Sequence, residues 1–231
     1  MLAFALTSRA APAASAEPET IVLLHGLGRT RFSMTPLAFA LERQGYRVVN
    51  LNYRSRTVPL ETLSTEWLPA RLAELSPAPT RLHFVTHSMG GILVRLWLRE
   101  CGVPSNLGRV VMLGPPNHGS ELADRLSPFR TFRWLAGINA PRLGTTADSL
   151  ARQLGDWPSA EAELGVLAGS RSIIPFLPLP APHDGKVTLA STHLDGERDH
   201  RTLPISHTLL PYDRAARSQV VAFLRTGAFV H

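Results

Sequence analysis

The segment Thr86-His87-Ser88-Met89-Gly90-Gly91 sets one hydroxyl between a run that reads as a strand, Arg81 to Thr86, and a run that reads as a helix, Gly90 to Cys101. A serine on so sharp a strand-to-helix turn is lifted clear of the backbone, and the next N–H points at whatever it attacks. Gly90 and Gly91 let the turn pack closely, because neither carries a Cβ. The helix that starts there aims free N–H groups and a positive dipole end at developing negative charge. The chemistry these features suit is nucleophilic acyl transfer. Serine alone is a poor nucleophile, so an imidazole base and a group that orients it are required. Thr86 is a departure: the pattern G-x-S-x-G has a glycine there, and threonine is larger and β-branched.

The elements that must position this serine are legible on both sides of it. Ile21 to Leu24 is a short, wholly apolar run that stops at His25-Gly26, as a strand buried on both faces does. A helix is expected from Ser33, a capping residue, to Gln44, with Pro36 in its first turn and Gly45 ending it. Tyr46 to Asn52 reads as a second strand, and Leu60 to Leu75 has helical apolar spacing. Val110 to Leu113 follows the helix after Ser88 as another strand. Strand and helix alternate through short connections, which predicts an α/β fold: a mostly parallel central sheet with helices on both faces. From 115 to 183 the rhythm breaks, and a small cap or lid insertion is expected there. It holds a bulky apolar helical stretch from Leu122 to Leu135, a strand at Leu164 to Ala168 and the proline-rich Pro175 to Pro182. A last strand at Arg201 to Ile205 and an amphipathic helix from Tyr212 to Arg225 close the chain.

Composition narrows the classes. The chain has 231 residues, 44% of them hydrophobic and 18% charged, which suits one folded domain over residues 20–231. No run of about 18 apolar residues spans a bilayer. The formal charge is +6, but Lys186 is the sole lysine and the arginines are scattered. A solvated surface is therefore expected, and no nucleic-acid partner. Cys101 is the single cysteine, so no intrachain disulfide forms, and a quiet, half-buried thiol is expected. Residues 1–19 read as a disordered tail or the remnant of a signal peptide. Their Ala14-Ser15-Ala16 would suit a signal peptidase, while the basic start and long apolar core are missing. Cytoplasmic and exported locations both stay open. No His, Asp or Glu spacing matches a catalytic metal motif such as H-E-x-x-H, so neither metal nor cofactor is expected.

Four stretches together resemble the α/β-hydrolase superfamily, and within it bacterial lipases and esterases: His25-Gly26-Leu27-Gly28, His87 to Gly91, Gly114-Pro115-Pro116-Asn117-His118-Gly119-Ser120, and Asp184-Gly185-Lys186-Val187. They come in the family's order and bracket most of the chain from Ile21 onward. The resemblance implies that Ser88 is the nucleophile and that an acid and then a histidine follow it. Six histidines do: His118, His183, His193, His200, His207 and His231. The family's base sits after the last strand, which selects His207, with His200 as fallback. His193 and His200 precede that expected strand, His231 is terminal, and His118 reads as a loop-stabilising residue. Asp184, after the Leu164 strand, is the implied acid, and Asp195 and Asp199 are the alternatives. The N–H groups of Leu27 and Met89 would form the oxyanion hole. The implied substrate is a small-molecule ester or lipid, with transient contact to a lipid interface. An acyltransferase, thioesterase or amidase on the same scaffold, a non-catalytic hydrolase-like binding protein and a basic surface-binding protein are the rival readings.

Overall fold

The computed structural model describes residues 18–174 and 179–231. Its elements in chain order are β1 Thr20–Leu24, α1 Thr35–Glu42, β2 Arg47–Leu51, α2 Leu60–Thr62, α3 Leu68–Ala73, β3 Leu82–His87, α4 Met89–Cys101, β4 Leu107–Leu113, α5 Glu121–Leu126, α6 Arg130–Ala136, α7 Leu150–Gln153, β5 Leu164–Gly169, α8 Leu189–Thr192, β6 Asp199–Leu203 and α9 Arg214–Thr226. The strands form one six-stranded sheet in the order β2-β1-β3-β4-β5-β6. All five pairings are parallel. This is the α/β-hydrolase fold expected from the alternation of apolar runs.

Strand side chains alternate between two apolar layers, as the two-residue pleat requires. Val22, Leu24, Phe84, Val110, Met112, Leu164 and Val166 point toward α4 and the Leu60–Ala73 helical stretch. Ile21, Leu23, Val85, Val111, Leu113 and Leu167 point the other way, against α1 and α9. Both faces are therefore dry, which is why these strands read as unbroken apolar runs. α4 is buried along nearly its whole length, from Met89 to Leu98. It forms the rigid floor behind Ser88.

Some boundaries move, each for a physical reason. The last strand is Asp199–Leu203 rather than Arg201 to Ile205: Gly165 to Gly169 pair with Asp199 to Leu203, and Pro204 has no N–H to extend the ladder. His200 thus lies inside β6 and not before it. The 60–75 helix contains a π turn over Leu63–Trp67 and ends at Ala73. Pro69 cannot donate to the carbonyl four residues back, and the wider turn accommodates that gap. The first helix opens with a 3-10 turn, Arg31–Met34. Ser33 does not cap it, because its hydroxyl donates to the Thr30 carbonyl at 2.8 Å. Cys101 is exposed, not half-buried. The closing helix starts at Arg214, where the Asp213 side chain accepts from the N–H groups of Ala215 and Ala216. Of the expected 1–19 tail, residues 1–17 lie outside the described residues, as do residues 175–178 of the proline-rich stretch. Among the described residues no helix is long and apolar enough to cross a membrane.

α9 docks through a bare patch of sheet. A Cβ on Gly165 would stand 2.6 Å from the ring of buried Phe223. Gly165→Ala should therefore lower the unfolding free energy by about 1–3 kcal/mol through overpacking. Combining it with Phe223→Leu should cost less than the two single changes summed. Urea denaturation of the four proteins checks this, and strict additivity would contradict the docking contact.

Candidate active site

Ser88 has φ 54° and ψ −123°, and it is the one non-glycine with positive φ among the described residues. Such a conformation costs on the order of 1–3 kcal/mol and persists only where its surroundings force it. Its N–H is tied to the Leu113 carbonyl of β4 at 2.9 Å. A Cβ on Gly26 would approach Ser88 Cβ at 3.1 Å, and one on Gly90 would approach the Leu24 carbonyl oxygen at 2.7 Å. Gly90 is required because the β1 backbone passes directly beside the bend, and Gly26 leaves room for the Ser88 and His87 side chains. Gly91 explains Thr86: a Cβ at 91 would meet Thr86 Oγ1 at 3.3 Å and Met112 Sδ at 2.9 Å. The room missing at position 86 is recovered at position 91.

Asp184 and His207, 23 residues apart, meet: the imidazole Nδ1 lies 2.6 Å from Asp184 Oδ2. Both side chains are buried. Asp184 Oδ1 accepts from the N–H groups of Lys186 at 2.9 Å and Val187 at 2.8 Å, so the carboxylate is fixed in orientation. The His207 N–H in turn donates to the Asp184 carbonyl at 3.0 Å. With Nδ1 engaged, Nε2 is the nitrogen left for chemistry. Ser88 and His207 line one cavity of about 200 Å³, whose walls include Leu27, Leu122, Phe132 and Leu143. Segment 115–163, between β4 and β5, supplies much of the wall.

Asp195, Asp199 and His200 are elsewhere. The Asp195 carbonyl accepts from Trp157, and the Asp199 carboxylate binds the Phe229 N–H and the His231 ring. His200 Nε2 faces Thr192 Oγ1 at 3.0 Å, and its pKa is pushed down to about 4 by burial and by His193. His118 sits in a loop as expected, its N–H on the Ser191 carbonyl. His193, Glu197 and His200 bring ligand-type atoms within 4.8 Å of one another, a grouping that sequence spacing did not flag. The two rings stack with centroids 3.8 Å apart, and His193 Nδ1 bonds Glu197 at 2.7 Å. None of the three lines the cavity beside Ser88.

Sequence reasoning missed the residues that brace the site. His87 lies beneath His207, Nε2 3.0 Å from its carbonyl oxygen and ring centroids 4.8 Å apart. Burial, then the neighbouring His207, hold its pKa well below the ordinary value, so His87 is a neutral support. Asn139, fully buried, donates to the Ser55 and Val58 carbonyls and accepts from the Leu60 N–H, fastening its own segment to the loop after β2. Arg95 reaches from α4 to the carbonyls of Asn117, Ala151 and Gly155. Only the apolar-face position of Arg95 in an otherwise buried helix could have signalled it.

The loop carrying Leu27 is braced by Tyr53. Its hydroxyl donates to the His25 carbonyl at 2.5 Å, its N–H donates to His25 Nε2 at 3.3 Å, and the two rings stack at 4.2 Å. Ser55 Oγ accepts from the Gly28 N–H at 3.0 Å. Among the described residues no protein acceptor is assigned to the Leu27 N–H, and the Met89 N–H opens α4, where helical donors have no partner. Tyr53→Phe leaves a buried carbonyl unpaired, so the unfolding free energy should fall by about 1–3 kcal/mol. Calorimetry measures it, and an unchanged stability would show that the brace carries no strain.

The profile of the alpha/beta hydrolase family matches residues 21–231. No curated protein sequence matches the chain. Among solved structures, the mature lipase BlEst2 of Bacillus licheniformis superposes with a TM-score of 0.69 at 21% identity, covering 93% of this chain and 94% of that one. The metagenomic carboxyl esterase MGS0156 gives 0.67 at 20% identity, over 88% and 69% of the two chains. The Pyrococcus furiosus esterase Pf2001 gives 0.59 at 15% identity, over 90% and 83%. At such identities the likeness is one of fold. With the matched profile spanning nearly the whole described chain, this protein belongs to the alpha/beta hydrolase family.

Proposed function

We propose that the protein is a serine hydrolase that cleaves carboxylic esters through an acyl-enzyme, with Ser88 as nucleophile, His207 as base and Asp184 as the group that orients it. The observation that carries this reading is the buried 2.6 Å contact between Asp184 and His207 at the cavity that Ser88 also lines. Asp184 holds the proton on Nδ1, so Nε2 accepts the Ser88 proton as its oxygen bonds to the ester carbonyl carbon. The resulting oxyanion is received by the N–H groups of Leu27 and Met89. Loss of one such donor typically lowers kcat by about 10²- to 10³-fold. Collapse breaks the bond to the leaving alcohol, which takes the proton from Nε2. Water then repeats the sequence on the acyl-serine and releases the carboxylic acid. Lipase and esterase likenesses among structures of the same fold favour esters over amides. Exposed Phe129, Trp134 and Leu135, on and beside α6, support transient contact with a lipid interface.

Hydrolysis of p-nitrophenyl esters by four proteins tests the reading. Ser88→Ala and His207→Ala should each lower kcat by about 10⁴-fold or more, with the circular dichroism spectrum unchanged. Asp184→Asn should lower kcat by about 10³- to 10⁴-fold. A Ser88→Ala protein that keeps the wild-type rate contradicts the proposal outright. An Asp184→Asn protein that keeps it contradicts the role of that carboxylate.

A further inference from the structure

The cavity beside Ser88 carries charge that ester hydrolysis alone does not require. Arg29 and Lys186 line it, and no Asp or Glu does. Arg29 donates Nη2 to a neutral acceptor, Thr208 Oγ1, at 3.2 Å. Among the described residues neither cation has a carboxylate within ion-pair distance. Asp184 is the nearest acid in sequence, but its two oxygens are engaged by His207 and by backbone N–H groups. Its attraction for Lys186 is opposed by the charge of Arg29. Two cations, Lys186 exposed and Arg29 half-buried, therefore share one already committed anion at this cavity.

Their placement says which part of a substrate they face. Arg29 is fastened to Thr208, the residue next to His207. Lys186 lies two residues after Asp184 and its N–H donates to Asp184 Oδ1 at 2.9 Å, the carboxylate that holds the same imidazole. The positive field gathers on the imidazole side of Ser88. In the proposed reaction that is the leaving-group side, because the imidazole must protonate the departing alcohol. Leu122, Phe132 and Leu143 give the same cavity an apolar wall that suits an acyl chain.

We infer that Arg29 and Lys186 form an anion subsite, and that the substrate is an acyl ester whose alcohol carries a phosphate or carboxylate. This rests on the serine-hydrolase reading, and the test separates the two. Four esters of similar acyl length are compared at low ionic strength: decanoylglycerol, decanoylglycerol 3-phosphate, decanoyl-lactate and the monomethyl ester of sebacic acid, whose charge sits on the acyl side. The anionic-alcohol esters should exceed decanoylglycerol in kcat/KM by about tenfold or more, as a charge-assisted contact allows. The phosphate and lactate arms distinguish the two anions, and preference for either supports the subsite. The advantage should shrink in salt, fall several-fold in Lys186→Met and Arg29→Gln, and persist in Lys186→Arg. Ser88→Ala protein should also bind octyl phosphate more tightly than octanol by calorimetry. Equal kcat/KM for charged and neutral alcohols, or a preference confined to the sebacate ester, overturns the inference while leaving the hydrolase standing. Should none of the esters be cleaved, the hydrolase reading fails, and the octyl phosphate titration alone decides whether the anion subsite exists.

Discussion

The strained bend at Ser88 is the constraint on which the rest of this structure depends. A non-glycine residue at φ 54° would relax if it could. It is held by a hydrogen bond to β4, by close backbone passage at Gly90, by tight packing at Gly26, and by the start of a long buried helix. These restraints come from β4, from the end of β1 and the loop after it, and from α4. The dry parallel strands on either side of β3 are thus more than a scaffold. They supply the rigidity that keeps the Ser88 backbone in a conformation it would otherwise leave.

The residues proposed as partners of Ser88 arrive by another route. Asp184 and His207 belong to loops after β5 and β6, and loops need local hydrogen bonds to hold a geometry. Here the acid turn is closed by Asp184 on its own following N–H groups, and the histidine turn hangs from the Asp184 carbonyl and rests on His87. The loop with Leu27 is fixed from outside by Tyr53 and Ser55. These are largely buried polar contacts. In a low-dielectric setting their loss would leave orphaned groups, so each loop has one inexpensive position.

Sequence disclosed the sheet well because every central strand is apolar on both faces, and the serine bend because its glycines and its position between strand and helix are local features. It was less informative where long-range pairing decides. The limits of β6 depend on its register with β5, and Pro204 marks its end only once that register is known. The break at Leu63–Trp67 lay hidden beneath perfect apolar spacing. Asn139 has no local signature and Arg95 only its place on a buried helix, since what they satisfy are carbonyls 22 to 84 residues away. Asp184 and His207 were legible through family order, and the contact between them only through the fold.

The proposed chemistry has one atom at its centre, the Ser88 hydroxyl, and its reactivity can be read directly. Diethyl p-nitrophenyl phosphate forms a stable bond only to a serine activated by a neighbouring base. Peptide mass mapping after stoichiometric treatment should find the diethylphosphoryl group on the peptide that contains Ser88, and none there when His207 is replaced by alanine. An unmodified Ser88, or equal modification without His207, would contradict the account.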